Sequence, residues 1–286
     1  MRGKALLSIL AQVPLLVLGA EMFTVPLTSV TPRADGVIRR DEYRFAATFK
    51  GAANYRQNVG KNPKTDPRKS ECALTWDEDF VYLAVRSATG RDGSLPKGGP
   101  RDPAWASESV EFWFDPPKEV RAAEFARFGQ FQLTFACDGK VHAMQHNPGF
   151  GLPPRPWKLE GARLKQSVVG DTWDCEIAIP AAAFGAEKLD EGEWGIILGR
   201  NFRTNPNVQC SFSPFASSGA YTDSSCYSRF AFRKGVRPTR FNGEPESILK
   251  GIPLTVPCNI TAKVRTTGVC PPRKYRRFFA SHDVDG

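Results

Sequence analysis

Residues 108–115 read ESVEFWFD and residues 129–137 read GQFQLTFAC, and both stretches alternate apolar with polar side chains. In the first stretch the valine and the two phenylalanines share one face, while Glu111 and Trp113 lie on the other. A period of two is typical of a β-strand with one face in a core. We expect the stretches to pair as neighbouring strands, with Glu111 and Gln132 together on the face away from the core.

The same alternation recurs between turn signals along the chain. Further strands are predicted at 71–76, 80–86, 141–145, 162–169, 172–179, 194–203 and 226–232, and a tight hairpin at 76–80. Nine or ten short strands, with 23 Pro and 25 Gly to form turns, favour an all-β fold: an antiparallel β-sandwich of the jelly-roll or immunoglobulin-like kind. Few short helical turns are expected, at 40–48 and Ala181–Phe184.

Residues 1–20 have the composition of a signal peptide. Arg2 and Lys4 precede an apolar run that is interrupted by Pro14. A transmembrane helix needs about 20 apolar residues, and this run is shorter. We therefore expect secretion, or a periplasmic or cell-surface location, and no membrane contact beyond the signal peptide. The sandwich is predicted to span residues 21–232, and residues 233–286 are predicted to be a basic linker or tail.

The net charge of +9 is concentrated at the two ends of the chain. Residues 1–20 carry two basic side chains and no acidic one, and residues 233–286 carry eleven basic against four acidic. The range 21–232 is therefore neutral. A neutral body lacks the basic surface that tracks a phosphate backbone, so no nucleic-acid partner is expected.

Seven cysteines follow the predicted signal peptide, which permits disulfides but leaves at least one thiol unpaired. Cys258 with Cys270 would link the tail, and Cys210 with Cys226 would close a loop, although one sequence does not decide connectivity. No pair has the C-x-x-C spacing and the chain has three His, so a structural zinc site is not expected.

Sequence motifs of common enzyme active sites are missing. There is no G-x-S-x-G, no P-loop, no H-E-x-x-H and no G-x-G-x-x-G after a strand. Glu108 and Glu111 have opposite strand parity, which places them on opposite faces of the sheet. We therefore do not expect these two residues to form the facing carboxylate pair of a glycosidase, although sequence alone does not exclude such a pair among the other acidic residues. The sequence favours a non-catalytic protein.

Two groups of residues are candidate ligands for a metal ion or a cofactor. Asp77, Glu78 and Asp79 are oxygen donors of the kind that bind calcium, although a solvated turn is the simpler interpretation. His142, Met144 and His146 alternate on one strand, which raises haem or copper ligation as an alternative to ordinary strand residues. No cofactor is predicted from these residues, and a structural calcium ion is left open without assigned ligands.

The order of seven motifs resembles the family 9 carbohydrate-binding modules over about residues 35–232. The motifs are DGVIRRDEY (35–43), LTWDEDFVYLAV (74–85), AWASESVEFWFD (104–115), FGQFQLTFACDG (128–139), TWDCEIAIP (172–180), WGIILGRNFR (194–203) and the two-part run that begins CSFSP (210–214) and resumes with AYTDSSCYSRFAF (220–232). The resemblance implies a β-sandwich in which two aromatic rings clamp a sugar while strand side chains bind its hydroxyls.

The resemblance also implies which residues would bind the sugar. Trp105 stands six residues before Glu111, as the first clamp tryptophan of the family does, and Tyr221 stands where the family has the second. Gln132 replaces a family arginine, so hydrogen bonding is kept without the charge. A polar position late in the WGIILGRN strand (194–201) also matches a contact region, with Arg200 and Asn201 as the candidates.

These residues lead to one expected function and two alternatives. The first is a carbohydrate-binding module that binds polysaccharide or oligosaccharide, and that can serve a glycoside hydrolase partner. A second is a related sandwich that binds haem or another redox cofactor through Met144 and a histidine. A third is an interaction domain that has lost sugar binding.

Overall fold

Fourteen strands were found in a computed structural model of the chain, which describes residues 22–55, 63–89, 94–117, 129–147, 152–203, 207–214 and 221–242. In chain order they are β1 (Met22–Pro26), β2 (Ala47–Lys50), β3 (Ser70–Trp76), β4 (Phe80–Ala88), β5 (Ser109–Asp115), β6 (Gln130–Ala136), β7 (Val141–Asn147), β8 (Leu152–Pro156), β9 (Arg163–Val169), β10 (Thr172–Pro180), β11 (Gly192–Phe202), β12 (Val208–Ser211), β13 (Ser228–Arg233) and β14 (Arg240–Asn242). Three short 3-10 helices, Ala104–Ala106, Ala181–Phe184 and Ser224–Cys226, complete the elements used below.

The strands form two sheets, which confirms the predicted all-β sandwich. The first sheet has the order β1-β13-β11-β5-β6-β7-β8, and β12 also pairs with β11. The second has the order β14-β2-β3-β4-β10-β9. In each sheet the paired strands are antiparallel except at one edge. There, β1 runs parallel to β13 in the first sheet, and β14 runs parallel to β2 in the second.

The inward faces of the two sheets form one hydrophobic core, and they are the faces that the alternation predicts. Val110, Phe112 and Phe114 of β5 are fully buried, as are Phe131 and Leu133 of β6. Burial of one such side chain contributes about 1.5–3 kcal/mol. The alternating pattern is therefore explained by the two-sheet architecture, in which every second residue enters the core.

All nine strands predicted from alternation are present, but five others were not predicted. These are β1, β2, β8, β12 and β14. They have three to five residues each, too few to show a clear period, and β8 contains three prolines. Proline is compatible with β8 because this strand lies at the edge of its sheet.

The predicted helical turns have different outcomes. Ala181–Phe184 is a 3-10 helix that ends at Gly185 in the left-handed conformation, with φ of 81°. The other prediction, 40–48, is only partly correct. A hydrogen-bonded turn covers 40–45, but Ala47 already begins β2. The strand prevails there because Phe49 is fully buried in the core.

The sandwich extends past the boundary predicted at residue 232. Strand β14 lies within the range expected to be a tail, and its Phe241 is 2% exposed in the core. Thr239 fixes this segment, since its Oγ1 accepts from the backbone N–H of Thr24 at 2.7 Å. The sequence analysis assigned this range to a tail because it is rich in basic residues, and β14 has only three residues, too few to show alternation. Residues 1–20 and the Cys258–Cys270 pair lie outside the described residues.

The predicted disulfide between Cys210 and Cys226 is not formed. Cys210 is a buried free thiol, and burial raises its pKa to about 12. Cys72, Cys137 and Cys175 are also free thiols. The hydrophobic core therefore holds these parts of the sandwich together without disulfide bonds.

None of the helices in the described ranges is both long and apolar enough to cross a membrane.

The outer face of the second sheet is covered by residues 28–46. Ala34, Tyr43 and Ala46 of this segment pack on Tyr82 and neighbouring alanines. Glu176 is buried under the segment, where it accepts from the Tyr43 hydroxyl at 2.9 Å, and burial raises the pKa of its carboxyl. The part of this face around Tyr82 and Glu176 is therefore covered. The polar outer face of the first sheet is the one that gathers candidate functional side chains.

Candidate functional site

The floor of the candidate site is the outer face of strands β11, β5, β6 and β7. Two rows of residues cross these strands at successive outward positions. The rows are Gly199, Glu111, Thr134 and His142, and then Ile197, Trp113, Gln132 and Met144. Glu111 and Gln132 therefore lie on one face, as the strand parity predicts. We call this surface the polar floor.

A single carboxylate organises the polar floor. Oε1 of Glu111 accepts from the indole Nε1 of Trp113 at 2.9 Å and from Nε2 of Gln132 at 3.0 Å. Its Oε2 accepts from Nδ2 of Asn201 at 2.9 Å. A carboxylate has roughly four acceptor positions, so the described residues fill three of them. The predicted residues Glu111, Gln132 and Asn201 thus belong to one hydrogen-bonded group.

Gly199 keeps the floor flat beside Glu111. A Cβ atom at this position would lie 2.4 Å from the backbone oxygen of Glu111, inside any permitted contact. A side chain there would force β11 away from β5 or displace the carboxylate. The glycine is explained by this close approach of two backbones.

His146 extends the polar group on the β7 side. Its Nε2 lies 3.0 Å from Oε1 of Gln132. Because the Gln132 amide nitrogen donates to Glu111, its oxygen faces His146, and the imidazole must carry its proton on Nε2. Burial, with a smaller contribution from the charge of His142, lowers the pKa of His146 to about 4. The ring is therefore neutral at pH 7.

The two predicted clamp residues border this floor. Trp105 lies in the short helix Ala104–Ala106, is partly exposed, and meets His142 edge to face with centroids 4.7 Å apart. Tyr221 is also partly exposed, and its ring lies 5.8 Å from that of Trp113. The hydroxyl of Tyr227 donates to the backbone oxygen of Tyr221 and holds it there.

Three members of the site were not predicted as carbohydrate-binding residues: Trp113, His142 and His146. Trp113 contacts His146 at a centroid distance of 4.7 Å as well as Tyr221, so it links both sides of the floor. Its parity with Glu111 was the available signal. The His142 and His146 alternation was visible too, but only the pairing of β7 with β6 shows that these rings face the same surface.

Arg200 is corrected by the structure, since it does not reach the polar floor. Its side chain is 0% exposed and points into the core, where it pairs with Glu108 at 2.6 Å. Its guanidinium also lies over the rings of Trp173 and Phe202. Neighbouring residues of a strand point to opposite faces, so Asn201 faces outward and Arg200 cannot.

Glu108 and Glu111 lie on opposite faces of the first sheet. Glu108 is buried with Arg200, whereas Glu111 faces outward, which agrees with their opposite parity.

The acidic turn at residues 77–79 is held by its own contacts. Asp77 accepts from the backbone N–H groups of Asp79 and Phe80, and Asp79 pairs with Lys188 at 2.5 Å. Across the described ranges, no three His, Cys, Asp or Glu side chains are grouped to hold a metal ion.

Both histidines of β7 contact neighbouring side chains of the site. His142 packs against Trp105, and the Nε2 of His146 bonds to Gln132. The geometry is that of hydrogen-bonding groups that are nearly buried (Glu111 is 6% and Gln132 is 7% exposed) between the partly exposed rings of Trp105 and Tyr221. Such a surface can bind a ligand that has both hydroxyls and apolar C–H faces.

No family model matches the chain, and no curated protein matches it. Solved structures do. A candidate carbohydrate-binding protein from Bacteroides uniformis matches with a TM-score of 0.54 at 12% identity, over 75% of this chain and 100% of that one. A family 9 carbohydrate-binding module from Caldicellulosiruptor kristjanssonii matches in complex with cellotriose (TM-score 0.53, 13% identity, 77% of this chain and 100% of that one). A family 9 module from the same organism in complex with glucose also matches (TM-score 0.51, 13% identity, 76% of this chain and 97% of that one). This chain therefore has the fold of the family 9 carbohydrate-binding modules.

Proposed function

We propose that the chain binds carbohydrate without catalysing its conversion, and that the polar floor between Trp105 and Tyr221 is the binding surface. The observation that carries the proposal is the Glu111 carboxylate, which is held by three N–H donors and bordered by partly exposed aromatic rings. The Glu111 carboxylate would accept a hydrogen bond from a sugar hydroxyl. The rings would cover the apolar C–H face of the same sugar.

The solved structures support the proposal at the level of fold. The module from Caldicellulosiruptor kristjanssonii has the same fold and is described with cellotriose and with glucose. The proposal is also supported by the sequence resemblance, which implies sugar contacts at Glu111, Trp105 and Tyr221. Gln132 keeps a hydrogen-bonding group where the family has an arginine, and the ligand would meet one positive charge fewer.

The biological setting is part of the proposal. The signal peptide expected at residues 1–20 would export the chain to the cell surface, the periplasm or the medium. There, a binding domain without a catalytic site would attach a secreted enzyme, such as a glycoside hydrolase, or a cell surface to polysaccharide. The structure does not describe residues 1–20, so sequencing the N-terminus of the exported protein tests this part.

The binding proposal is tested by screening the full chain against neutral and acidic polysaccharides, followed by calorimetry with soluble oligosaccharides. Trp105→Ala should weaken binding by about tenfold or more, since a stacked ring contributes about 0.5–1.5 kcal/mol beyond the area it buries. Phe45→Ala is the matched control, because Phe45 is an aromatic side chain exposed by 45% on the segment that covers the other sheet. Absence of any saccharide ligand, or equal effects of both variants, would refute the proposal.

A further inference from the structure

The backbone that carries Trp105 is held by the side chain of Arg203. Nε of Arg203 donates to the backbone oxygen of Trp105 at 2.7 Å, and Nη2 donates to the same oxygen. Nη1 donates to Oδ1 of Asn207 at 2.6 Å, which steadies the guanidinium from its other side. Arg203 follows the end of β11, so a residue from the next strand of the sheet fixes the loop before β5.

Arg203 is itself located by a buried carboxylate. Its backbone N–H donates to Oε1 of Glu108 at 2.8 Å, and Oε2 of Glu108 lies 2.6 Å from Nη2 of Arg200. Glu108 is 1% exposed and Arg200 is 0% exposed. Arg200 in turn donates to the backbone oxygen of Ser109 at 3.2 Å. An unbroken line of polar contacts therefore runs from the core to the loop of Trp105.

The short helix around Trp105 needs such external support. Ala104–Ala106 has three residues, and its N-cap Pro103 makes no side-chain capping bond. A single 3-10 turn of this length has little stability of its own. The direction of the Trp105 ring depends on what holds the loop. A guanidinium suits this task because two of its N–H groups can converge on one carbonyl oxygen, which an ammonium cannot reproduce with the same geometry.

We infer that Arg203 is a positioning residue for Trp105, and that the buried Glu108–Arg200 pair sets the position of Arg203. Arg200, which the sequence suggested as a contact residue, thus acts on the site from the core side. The effect on sugar affinity rests on the proposed carbohydrate-binding function. The effect on Trp105 itself does not depend on it.

The test uses the full chain labelled with nitrogen-15, in which six tryptophans give six indole N–H resonances. Loss of one resonance in Trp105→Phe assigns the signal of Trp105. Arg203→Lys should shift or split that signal and leave those of the core tryptophans in place. Asn207→Ala is a milder second variant, since it removes one hydrogen bond from the guanidinium at an exposed position, and it should move the same signal by less.

Calorimetry with the oligosaccharide found by the screen provides the second measurement. Arg203→Lys should weaken affinity on the order of five- to tenfold, as expected for a residue coupled to the ring. Arg86→Lys is the matched control, because Arg86 makes a two-pronged contact with Asp174, at 2.8 and 2.7 Å, on the other sheet. It should change neither the Trp105 signal nor the affinity.

The two measurements separate the inference from the proposed function. An unchanged Trp105 signal in both Arg203→Lys and Asn207→Ala overturns the inference. Weaker affinity with an unchanged Trp105 signal also overturns it, because Arg203 would then act on the sugar directly. If the wild-type chain binds no saccharide, the proposed function fails and the resonance alone decides whether Arg203 positions Trp105.

Discussion

The indole nitrogen of Trp113 donates a 2.9 Å hydrogen bond to the carboxylate of Glu111, two residues earlier on the same strand. Residues two apart on a strand share a face, so this bond needs no tertiary contact to bring its partners near each other. It ties the indole ring of Trp113 to the carboxylate that also accepts from Gln132 and Asn201. The Glu111 carboxylate and the Trp113 ring are therefore held in fixed positions relative to each other.

Glu111→Gln should reduce carbohydrate affinity by about tenfold or more. The neutral amide loses the charge-assisted bonds, which contribute about 1.5–3 kcal/mol each, and its NH₂ group opposes the donor of Asn201. Calorimetry with the screened oligosaccharide measures the change. Glu193→Gln is the control, because Glu193 is an exposed acidic residue of β11. Equal affinity of Glu111→Gln and the wild type would show that Glu111 does not contact the sugar.

Gly199→Ala should destabilise the fold by about 1–3 kcal/mol and weaken binding, because the added Cβ meets the backbone oxygen of Glu111 at 2.4 Å. Urea unfolding gives the free energy. Gly195→Ala on the same strand is the matched comparison. Its Cβ would meet side-chain atoms at 3.2–3.4 Å, which is a tight fit but involves no backbone atom. The explanation by close backbone approach is wrong if Gly195→Ala is the more damaging of the two.

Arg200→Met should lower the free energy of unfolding by about 3–5 kcal/mol, since it leaves the buried carboxylate of Glu108 without its countercharge. Adding Glu108→Gln should restore part of the loss, because the amide oxygen can still accept from the Arg203 backbone. Denaturant unfolding of both single variants and the double variant gives the coupling. Strictly additive effects would argue against a coupled pair.

Acidification should destabilise the protein between about pH 6.5 and pH 4, partly through His146. The pKa of this histidine falls from 6.5 to about 4 in the folded state, so the unfolded chain binds more protons in that window. Stability then rises with pH, by at most about 1.4 kcal/mol per pH unit for one proton. His146→Gln should flatten this dependence.

The pH prediction is checked by urea unfolding at several pH values across that window. Any loss of contacts in His146→Gln shifts the whole curve, whereas the proton linkage changes its slope. Parallel curves for wild type and variant would therefore mean that His146 titrates normally in the folded protein.

Long alternating stretches made the fold predictable, and short ones did not. β5 and β6 each present three or more apolar residues to the core, which is a clear period. β12 and β14 have four and three residues, and nothing local distinguishes them from a loop. They form because β11 and β2 offer unpaired edges, and that is a property of the assembled sheets.

The candidate site was predictable where parity alone decides the face. Glu111 and Gln132 follow from alternation within their strands. Arg200 and Asn201 are neighbours in sequence, so one of them faces the core and the other faces outward. Which one does so depends on the side of β11 that packs on the second sheet. The structure assigns Asn201 to the polar floor and Arg200 to the core.

Alternation with period two is enough to predict the two-sheet core, because it records which side chains leave water. The same alternation predicts that Glu111, Trp113 and Gln132 face outward together. The loops that meet this surface, and the hold of Arg203 on the Trp105 backbone from another strand, follow from the assembled fold alone. These contacts join residues far apart in the chain, and their partners are selected by packing that no local pattern encodes.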